Sequence, residues 1–213
     1  EASARISVGS TQGLFSHFYQ QWAQQVGLAE RLQLNLKATN WVGEQVLDAL
    51  DNGECDLVLC YWHQDLPWGE RLDPQRYEFI TLAREFLVPV SVADETGQPR
   101  YPLPGTTEQP VPLIAYHPRG FLHSAIEAHL SRSNVSANLL PLNENTQSAS
   151  IKALVKQGFG MGWLPQRMTE KSEQFGSLAR AGGDQWDVPL EIRLIRLRQP
   201  RSDDLLTLWT TLE

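Results

Sequence analysis

The sequence predicts an α/β protein made of two halves, each with strands and helices in the order β-α-β-α-β. That order occurs within the first 62 residues, and it recurs after a proline-rich stretch in the middle of the chain. Strands that alternate with helices pair in parallel in a sheet that helices cover. The near-continuous apolar run "CDLVLCYW" indicates the same arrangement, because parallel strands are buried on both faces.

Hydrophobic spacing defines the elements of the first half. The stretch "RISVG" alternates as a strand. "STQGLFSHFYQQWAQQVG" has apolar residues at helical spacing, with Ser10 or Thr11 as its cap and Gly27 at its end. "LQLNLKAT" alternates strictly and predicts a second strand, and "EQVLDALDNG" predicts a helix that Gly53 ends. "CDLVLCYW" is then the third strand.

The second half repeats this layout. A long extended run, Phe79 to Ala93, leads into a turn-rich surface loop. Next come the strand "PLIAY", a helix in "FLHSAIEAHLSRS", the strand "ANLLPL", a helix in "NENTQSASIKALVKQG" and the strand "GMGWLP". "VPLEIRLIRLR" alternates as a late strand, and a helix capped by Ser202 closes the chain.

Three glycines lie close together in "QGFGMGWLP". Gly158 is expected to end a helix in the left-handed conformation that glycine adopts easily. Gly160 and Gly162 are expected to flank a short strand on which larger side chains would crowd a neighbour. This packing explanation needs no ligand, and it stands beside a functional one. "GFGMG" is not a dinucleotide site, because it precedes a strand instead of following one.

Charge and composition limit the function. The net charge of −7 argues against nucleic-acid binding by these residues alone, since that needs a basic surface. No apolar run approaches the ~18 residues that span a bilayer, and no signal-peptide pattern is present. The chain begins without Met, almost at a strand, which suggests a fragment of a longer protein.

The two cysteines are not expected to pair. On one strand, Cys55 and Cys60 are ~16 Å apart, too far for a disulfide. Two unpaired thiols favour a reducing compartment. Cys60, closer to the end of its strand, is the candidate for a redox-active thiol, although a buried inert cysteine is the more common case.

Candidate ligand-binding residues lie where strands end and helices begin. In parallel sheets ligands bind at the carboxyl ends of strands, against helix N-termini that favour anions. The residues at such junctions are Ser10, Thr11, Tyr61, Trp62, His63, Arg119 and Thr146. Each type also has a plainer explanation: hydroxyls cap helices, aromatics cover a core edge, and a loop arginine is solvated.

Enzyme signatures are absent from the sequence. There is no GxSxG elbow, P-loop or HExxH motif. His123 and His129 share a helix but differ by six positions, so they do not face one metal. We therefore predict no catalytic residue, no metal and no cofactor.

Four stretches together resemble the effector-binding domain of LysR-type transcriptional regulators. They are "RISVGSTQGLFSHFYQQWAQQ", "EQVLDALDNGECDLVL", "LAREFLVPVSVAD" and "SIKALVKQGFGMGWLP", in the order the family has them. The details "CYWHQ" and "GFGMGWLP" look most similar to the hypochlorite-responsive members. The resemblance implies a periplasmic-binding-protein-like (type 2) fold of two Rossmann-like subdomains joined by two crossing segments. Subdomain I would take residues 1–84 and 197–213, and subdomain II residues 85–196.

The resemblance also implies partners and a site. It implies a cytoplasmic homodimer or homotetramer, with promoter DNA bound only through an N-terminal winged helix-turn-helix that these residues lack. A small, anionic effector would bind between the subdomains. Ser10 and Thr11 fall where family members bind a carboxylate, and Thr146 falls at the matching second-subdomain helix. Trp41 lies near Gly43, where members often have Ser or Thr, which implies a more aromatic cleft.

Other functions remain open at this point. One is an oxidant-sensing domain without a dissociable ligand, and another is a periplasmic solute-binding protein of the same fold. A third is an enzyme of this architecture, related to porphobilinogen deaminase or prephenate dehydratase, which would need catalytic groups that the sequence does not present.

Overall fold

The computed structural model describes residues 5–10, 13–35, 44–145 and 147–213. The chain divides into two compact units. Unit 1 comprises Glu1–Arg84 and Glu191–Glu213, and unit 2 comprises Glu85–Leu190. Thr11, Trp41 and Thr146 lie outside the described residues.

The described elements follow the predicted alternation of strands and helices. The strands are β1 Ile6–Ser10, β2 Leu32–Asn35, β3 Leu57–Trp62, β4 Tyr77–Val92, β5 Val111–Tyr116, β6 Leu139–Asn145, β7 Gly162–Pro165, β8 Leu178–Arg180 and β9 Val188–Leu197. The helices are α1 Gln20–Gln25, α2 Gln45–Asp51, α3 Phe121–Arg132, α4 Ser148–Lys156, α5 Gln166–Gln174 and α6 Asp203–Leu212.

The sheet of unit 1 is parallel where the sequence predicts it. β1 pairs in parallel with β2 and with β3, and β9 pairs antiparallel with β3. β3 is buried along its whole length except at Trp62. The pairing of Trp62 with Glu191 starts the contact between β3 and β9. The chain therefore returns to unit 1 at Glu191, earlier than the expected residue 197, because the sheet takes up β9 from that position onward.

The first predicted helix has two parts. A π-helical turn, Phe15–Tyr19, precedes α1. The helical segment starts after Leu14 without a side-chain cap, so the expected cap by Ser10 is wrong: Ser10 is the last residue of β1 and is held in the sheet by pairing with Leu59. Gly27 follows the helix with φ +73°, as predicted for its end.

Unit 2 contains a parallel pair and an antiparallel set. β5 pairs in parallel with β6, while β7 and β8 pair antiparallel with β4. The helix expected to begin at Asn143 begins instead at Ser148. Asn143 to Asn145 pair with Ile114 to Tyr116 beyond a bulge at Leu142 of β6, so the sheet extends over residues predicted to be helical.

The glycine-rich stretch is explained by packing. Gly158 ends α4 with φ +84°, in the left-handed conformation predicted for it. A Cβ atom on Gly162 would lie 2.9 Å from Cγ2 of Ile151, and one on Gly160 would lie 2.7 Å from the carbonyl oxygen of Pro112. Both positions therefore need glycine because a neighbour is close, as the sequence indicates.

The closing helix begins as the sequence predicts. Ser202 Oγ accepts a hydrogen bond from the Leu205 N–H at 3.2 Å, which is an N-cap contact. Leu205, Leu208 and Trp209 of α6 are buried. Among all helices in the described ranges, none is both long and apolar enough to cross a membrane.

Candidate functional site

Ser10 ends β1 with a buried hydroxyl. The residue is 0% exposed, and its Oγ has no hydrogen-bond partner among the described residues. A buried hydroxyl without a partner costs about 1–3 kcal/mol of stability. The position at the carboxyl end of a parallel strand is where α/β sheets bind ligands. Ser10 is therefore a buried polar group without a partner in the part of the chain that the structure describes.

Tyr61 lies on the same face of the sheet as Ser10. Ser10 pairs with Leu59 in the parallel register, and Tyr61 is two residues further along β3, so the side chains share a face. Tyr61 is fully buried and its hydroxyl hydrogen bonds with His17 Nε2 at 2.9 Å. His17 belongs to the π-helical turn before α1 and is half-buried. Sequence reasoning missed His17, since the contact joins residues far apart in the chain.

Trp62 and His63 line a cavity of unit 1 that Ser10 and Tyr61 do not line. The indole of Trp62 stacks on the guanidinium of Arg193, with Cζ 3.6 Å from the ring centre. His63 is 7% exposed, and its Nδ1 accepts the Asp65 N–H at 3.2 Å. The volume of this cavity is about 470 Å³. Trp62 alternates with Tyr61 along β3, so the structure does not place these two aromatic residues in one pocket wall.

Arg119 is exposed in the turn before α3. Its backbone N–H donates to His117 Nδ1 at 3.1 Å. No described contact of its side chain supports the expected role as an anion clamp, which stays a prediction.

Tyr116 and Ser148 form a buried polar pair in unit 2. The Tyr116 hydroxyl and Ser148 Oγ are 2.9 Å apart, at the end of β5 and the start of α4. Burial raises the pKa of Tyr116 well above its usual value, so the hydroxyl stays protonated. The sequence predicted a polar site at this strand-to-helix junction, but it named Thr146, two residues before Ser148.

A second cavity, of about 600 Å³, lies between α3 and the strands β5 and β6. Its walls are mainly apolar, and the pair formed by His123 Nε2 and Glu127 Oε1, 3.2 Å apart, lies at its lining. Trp163 lines it too, but the indole N–H already donates to the carbonyl of Trp186 at 2.9 Å. This cavity contains none of the predicted site residues.

Cys55 and Cys60 form no disulfide, as the sequence predicts, and both are buried. Cys60 is in β3, whereas Cys55 precedes the strand that was expected to contain both. Burial raises the pKa of each thiol to about 12. A thiol with such a pKa is almost entirely protonated at neutral pH, which disfavours the redox role considered for Cys60.

We expect both thiols to resist alkylation in the folded chain. At about pH 8, a thiol of pKa about 12 is ionised in only about one molecule in ten thousand. Incubation with iodoacetamide should leave the intact mass unchanged, and the same treatment in denaturant should add two groups. Rapid alkylation of the native chain at Cys60 would show that the thiol is accessible and would restore the redox hypothesis.

The described part of the chain contains no cluster of three or more His, Cys, Asp or Glu side chains that could hold a metal ion. The candidate chemistry is therefore that of hydroxyls, imidazoles, arginines and aromatic rings, which bind ligands by hydrogen bonds, charge and stacking.

The chain matches a known family over its whole length. The family described as "LysR substrate binding domain" matches residues 1–213. The HTH domain-truncated transcriptional regulator QseD of Escherichia coli O157:H7 is 21% identical over 154 residues, which are 72% of this chain and 60% of that protein. The chain thus spans less than two thirds of this curated relative.

Solved structures share the fold. The bromide-bound regulatory domain of HypT from Salmonella typhimurium superposes with a TM-score of 0.79 and 21% identity, over 100% of this chain and 95% of that one. The regulatory domain of CcmR from Synechocystis PCC6803, in complex with 2-PG, superposes with a TM-score of 0.72 and 16% identity, over 98% and 95% of the two chains.

Proposed function

Because the chain belongs to the LysR substrate-binding domain family, we propose that it senses a small anionic effector for a DNA-binding transcriptional regulator and contributes to its self-association. The chain is the effector-binding domain of such a regulator and has the periplasmic-binding-protein-like type 2 fold. We assign promoter binding to a part of the protein outside Glu1–Glu213, since the net charge of −7 disfavours contact with DNA phosphates. The function proposed is binding and signalling in the cytoplasm, not catalysis.

The buried Ser10 hydroxyl carries the ligand part of the proposal. It is unpartnered in the described part of the chain and lies at the carboxyl end of β1. A ligand that accepts its hydrogen bond would remove the free-energy cost of burying that group. Anions are the strongest acceptors available to a hydroxyl, which favours a carboxylate or another small anion.

The structural relatives support an anion. The HypT domain holds a bromide ion, and the CcmR domain holds 2-PG. Contact of the same effector with unit 2, through Thr146 or Arg119, stays a prediction.

Ser10→Ala tests this proposal through two effects on thermal unfolding, one measured without an anion and one measured with it. Without effector, the variant should keep or raise the thermal midpoint, because an unpaired buried hydroxyl has been removed. With small anions such as bromide or acetate, or with an effector found by screening, its stabilisation should be smaller than that of the unaltered chain. Thermal unfolding with and without each anion measures both effects.

Ser91→Ala is the matched control. Ser91 is also 0% exposed, but its hydroxyl donates to the Val92 carbonyl at 3.0 Å and accepts the Tyr101 N–H at 3.1 Å. Its removal should destabilise the chain by about 1–2 kcal/mol. If Ser10→Ala destabilises the chain as much as Ser91→Ala, Ser10 has a structural partner and the observation behind the proposal is lost.

Self-association has support in the exposed edge of β6. Leu140 and Leu142 of this strand are 49% and 53% exposed. Exposed apolar strand edges favour pairing with another chain. Trp22 of the first helix does not add to this exposed surface, because it is 7% exposed and stacks on Phe18 with ring centres 6.5 Å apart. A homodimer or homotetramer stays a prediction.

A further inference from the structure

Unit 1 has a cavity of about 470 Å³ on the sheet face opposite Ser10 and Tyr61. Cys60 pairs with Arg193 and Trp62 with Glu191, so these side chains share one face, while Tyr61 and its partner Ile192 point to the other. The volume is in the range of small-molecule sites, which is about 300–1,000 Å³. Any ligand here is distinct from one held by Ser10.

An arginine held between two aromatic rings lines this cavity. Cζ of Arg193 is 3.6 Å from the ring centre of Trp62 and 3.9 Å from that of Phe79. The side chain is only 11% exposed. The two rings fix the plane of the guanidinium, so its N–H groups are oriented before any ligand arrives.

The guanidinium is only partly paired. Its Nε donates to Glu191 Oε2 at 2.7 Å. Among the described residues no other group accepts a hydrogen bond from Arg193, so its two terminal amino groups remain available at the cavity wall. A buried charge is normally hydrogen-bonded on all sides. The remaining N–H groups have the planar geometry that matches a carboxylate.

The charges around the cavity also favour an anion. Arg193 and Arg198 line the cavity together with a single carboxylate, Glu78, and Glu191 pairs with Arg193 beside it. Arg196 pairs closely with Glu78, while Arg198 Nη1 is 3.8 Å from that carboxylate. Arg198 lines the cavity and can approach a ligand bound to Arg193.

Much of the remaining wall of the cavity is apolar. Leu66, Leu72, Tyr77 and Ile195 line it together with the two rings that hold Arg193. A free inorganic anion would leave these walls uncovered, whereas an apolar group attached to the anion would cover them.

We propose that this cavity is a second ligand site, specific for a carboxylate on an aromatic or aliphatic body, with Arg193 as the carboxylate-binding residue. The site is complete within unit 1, and the proposal does not depend on the effector proposed for Ser10. Its ligand would bind unit 1 independently of the effector.

Isothermal titration of the 213-residue chain with 3-phenylpropionate tests the site. The uncharged 3-phenylpropionamide and inorganic phosphate are the comparison probes. The acid should bind at least about tenfold more tightly than either, because only it supplies both the charge and the apolar body. Equal binding of the amide would overturn the carboxylate part, and equal binding of phosphate would overturn the apolar part.

Variants then locate the binding. Arg193→Lys keeps the charge but loses the planar fork, and should weaken 3-phenylpropionate binding by about 10- to 100-fold. Leu72→Trp should abolish binding, because the larger side chain fills the cavity without altering any charge. Arg76→Lys is the control, because Arg76 is an exposed arginine that is not among the residues lining the cavity. Circular dichroism checks that each variant is folded.

The Ser10→Ala chain separates the two sites. It should bind 3-phenylpropionate as tightly as the unaltered chain. If Ser10→Ala abolishes binding while Arg193→Lys and Leu72→Trp do not, the acid occupies the Ser10 site and the cavity proposal is wrong. If Arg193→Lys does not fold, the Leu72→Trp result decides alone.

Discussion

Gly160→Ala is expected to lower the free energy of unfolding by about 2–3 kcal/mol. The new Cβ would lie 2.7 Å from the carbonyl oxygen of Pro112 and 3.1 Å from the carbonyl carbon. That oxygen accepts the Met161 N–H at 2.9 Å, so it cannot move away without weakening a hydrogen bond between β5 and the residue next to Gly160. The obstacle is backbone, which cannot change rotamer to make room.

Gly69→Ala is the control for this substitution. The nearest atom to a Cβ there is Leu66 Cβ, at 3.7 Å, which is ordinary contact. Its effect should stay within about 0.5 kcal/mol. Urea unfolding of the two variants measures the difference. If they are equally stable, β5 and the glycine-rich segment are not packed as closely as the structure shows.

The glycine-rich stretch shows what a single sequence can predict. The spacing of Gly158, Gly160 and Gly162 indicated a helix end and a crowded strand, because each requirement acts over a few residues. Which atom crowds Gly160 could not be predicted, since Pro112 is distant in the chain. The same holds for the strands: their alternation identified them, but not the bulge that carries β6 to Asn145.

The candidate site was predictable only in position. Strand ends directed attention to Ser10 and Tyr61, and Ser10 is indeed a buried polar residue at a strand end. Its expected role as a helix cap was wrong, because the helical segment starts after Leu14. Trp62 does line a cavity, but its stacking on Arg193 joins β3 to β9, and no local pattern encodes that contact.

Arg196→Met is expected to destabilise unit 1 by about 3 kcal/mol. Arg196 is 4% exposed and pairs closely with Glu78, and its Nη1 donates to the carbonyl oxygens of Leu197 and Arg198 at 2.9 and 3.1 Å. Its Cζ lies 4.8 Å from the ring centre of the buried Trp209. Methionine fills much of the volume but leaves Glu78 and two carbonyl groups without their donor.

Arg76→Met is the control that measures the effect of burial, because Arg76 at the surface also contacts a carboxylate and an aromatic ring, as Arg196 does in the interior. Its Nη2 is 2.9 Å from Asp51 Oδ1, its side chain is 57% exposed, and its Cζ is 5.7 Å from the Tyr77 ring centre. Solvent screens such a pair, so the loss should stay below about 1 kcal/mol. Adding Glu78→Gln to Arg196→Met should recover about 1–2 kcal/mol, since the unpaired carboxylate is then neutral. Equal losses in Arg76→Met and Arg196→Met, measured by urea unfolding, would show that burial adds nothing to the Arg196 contacts.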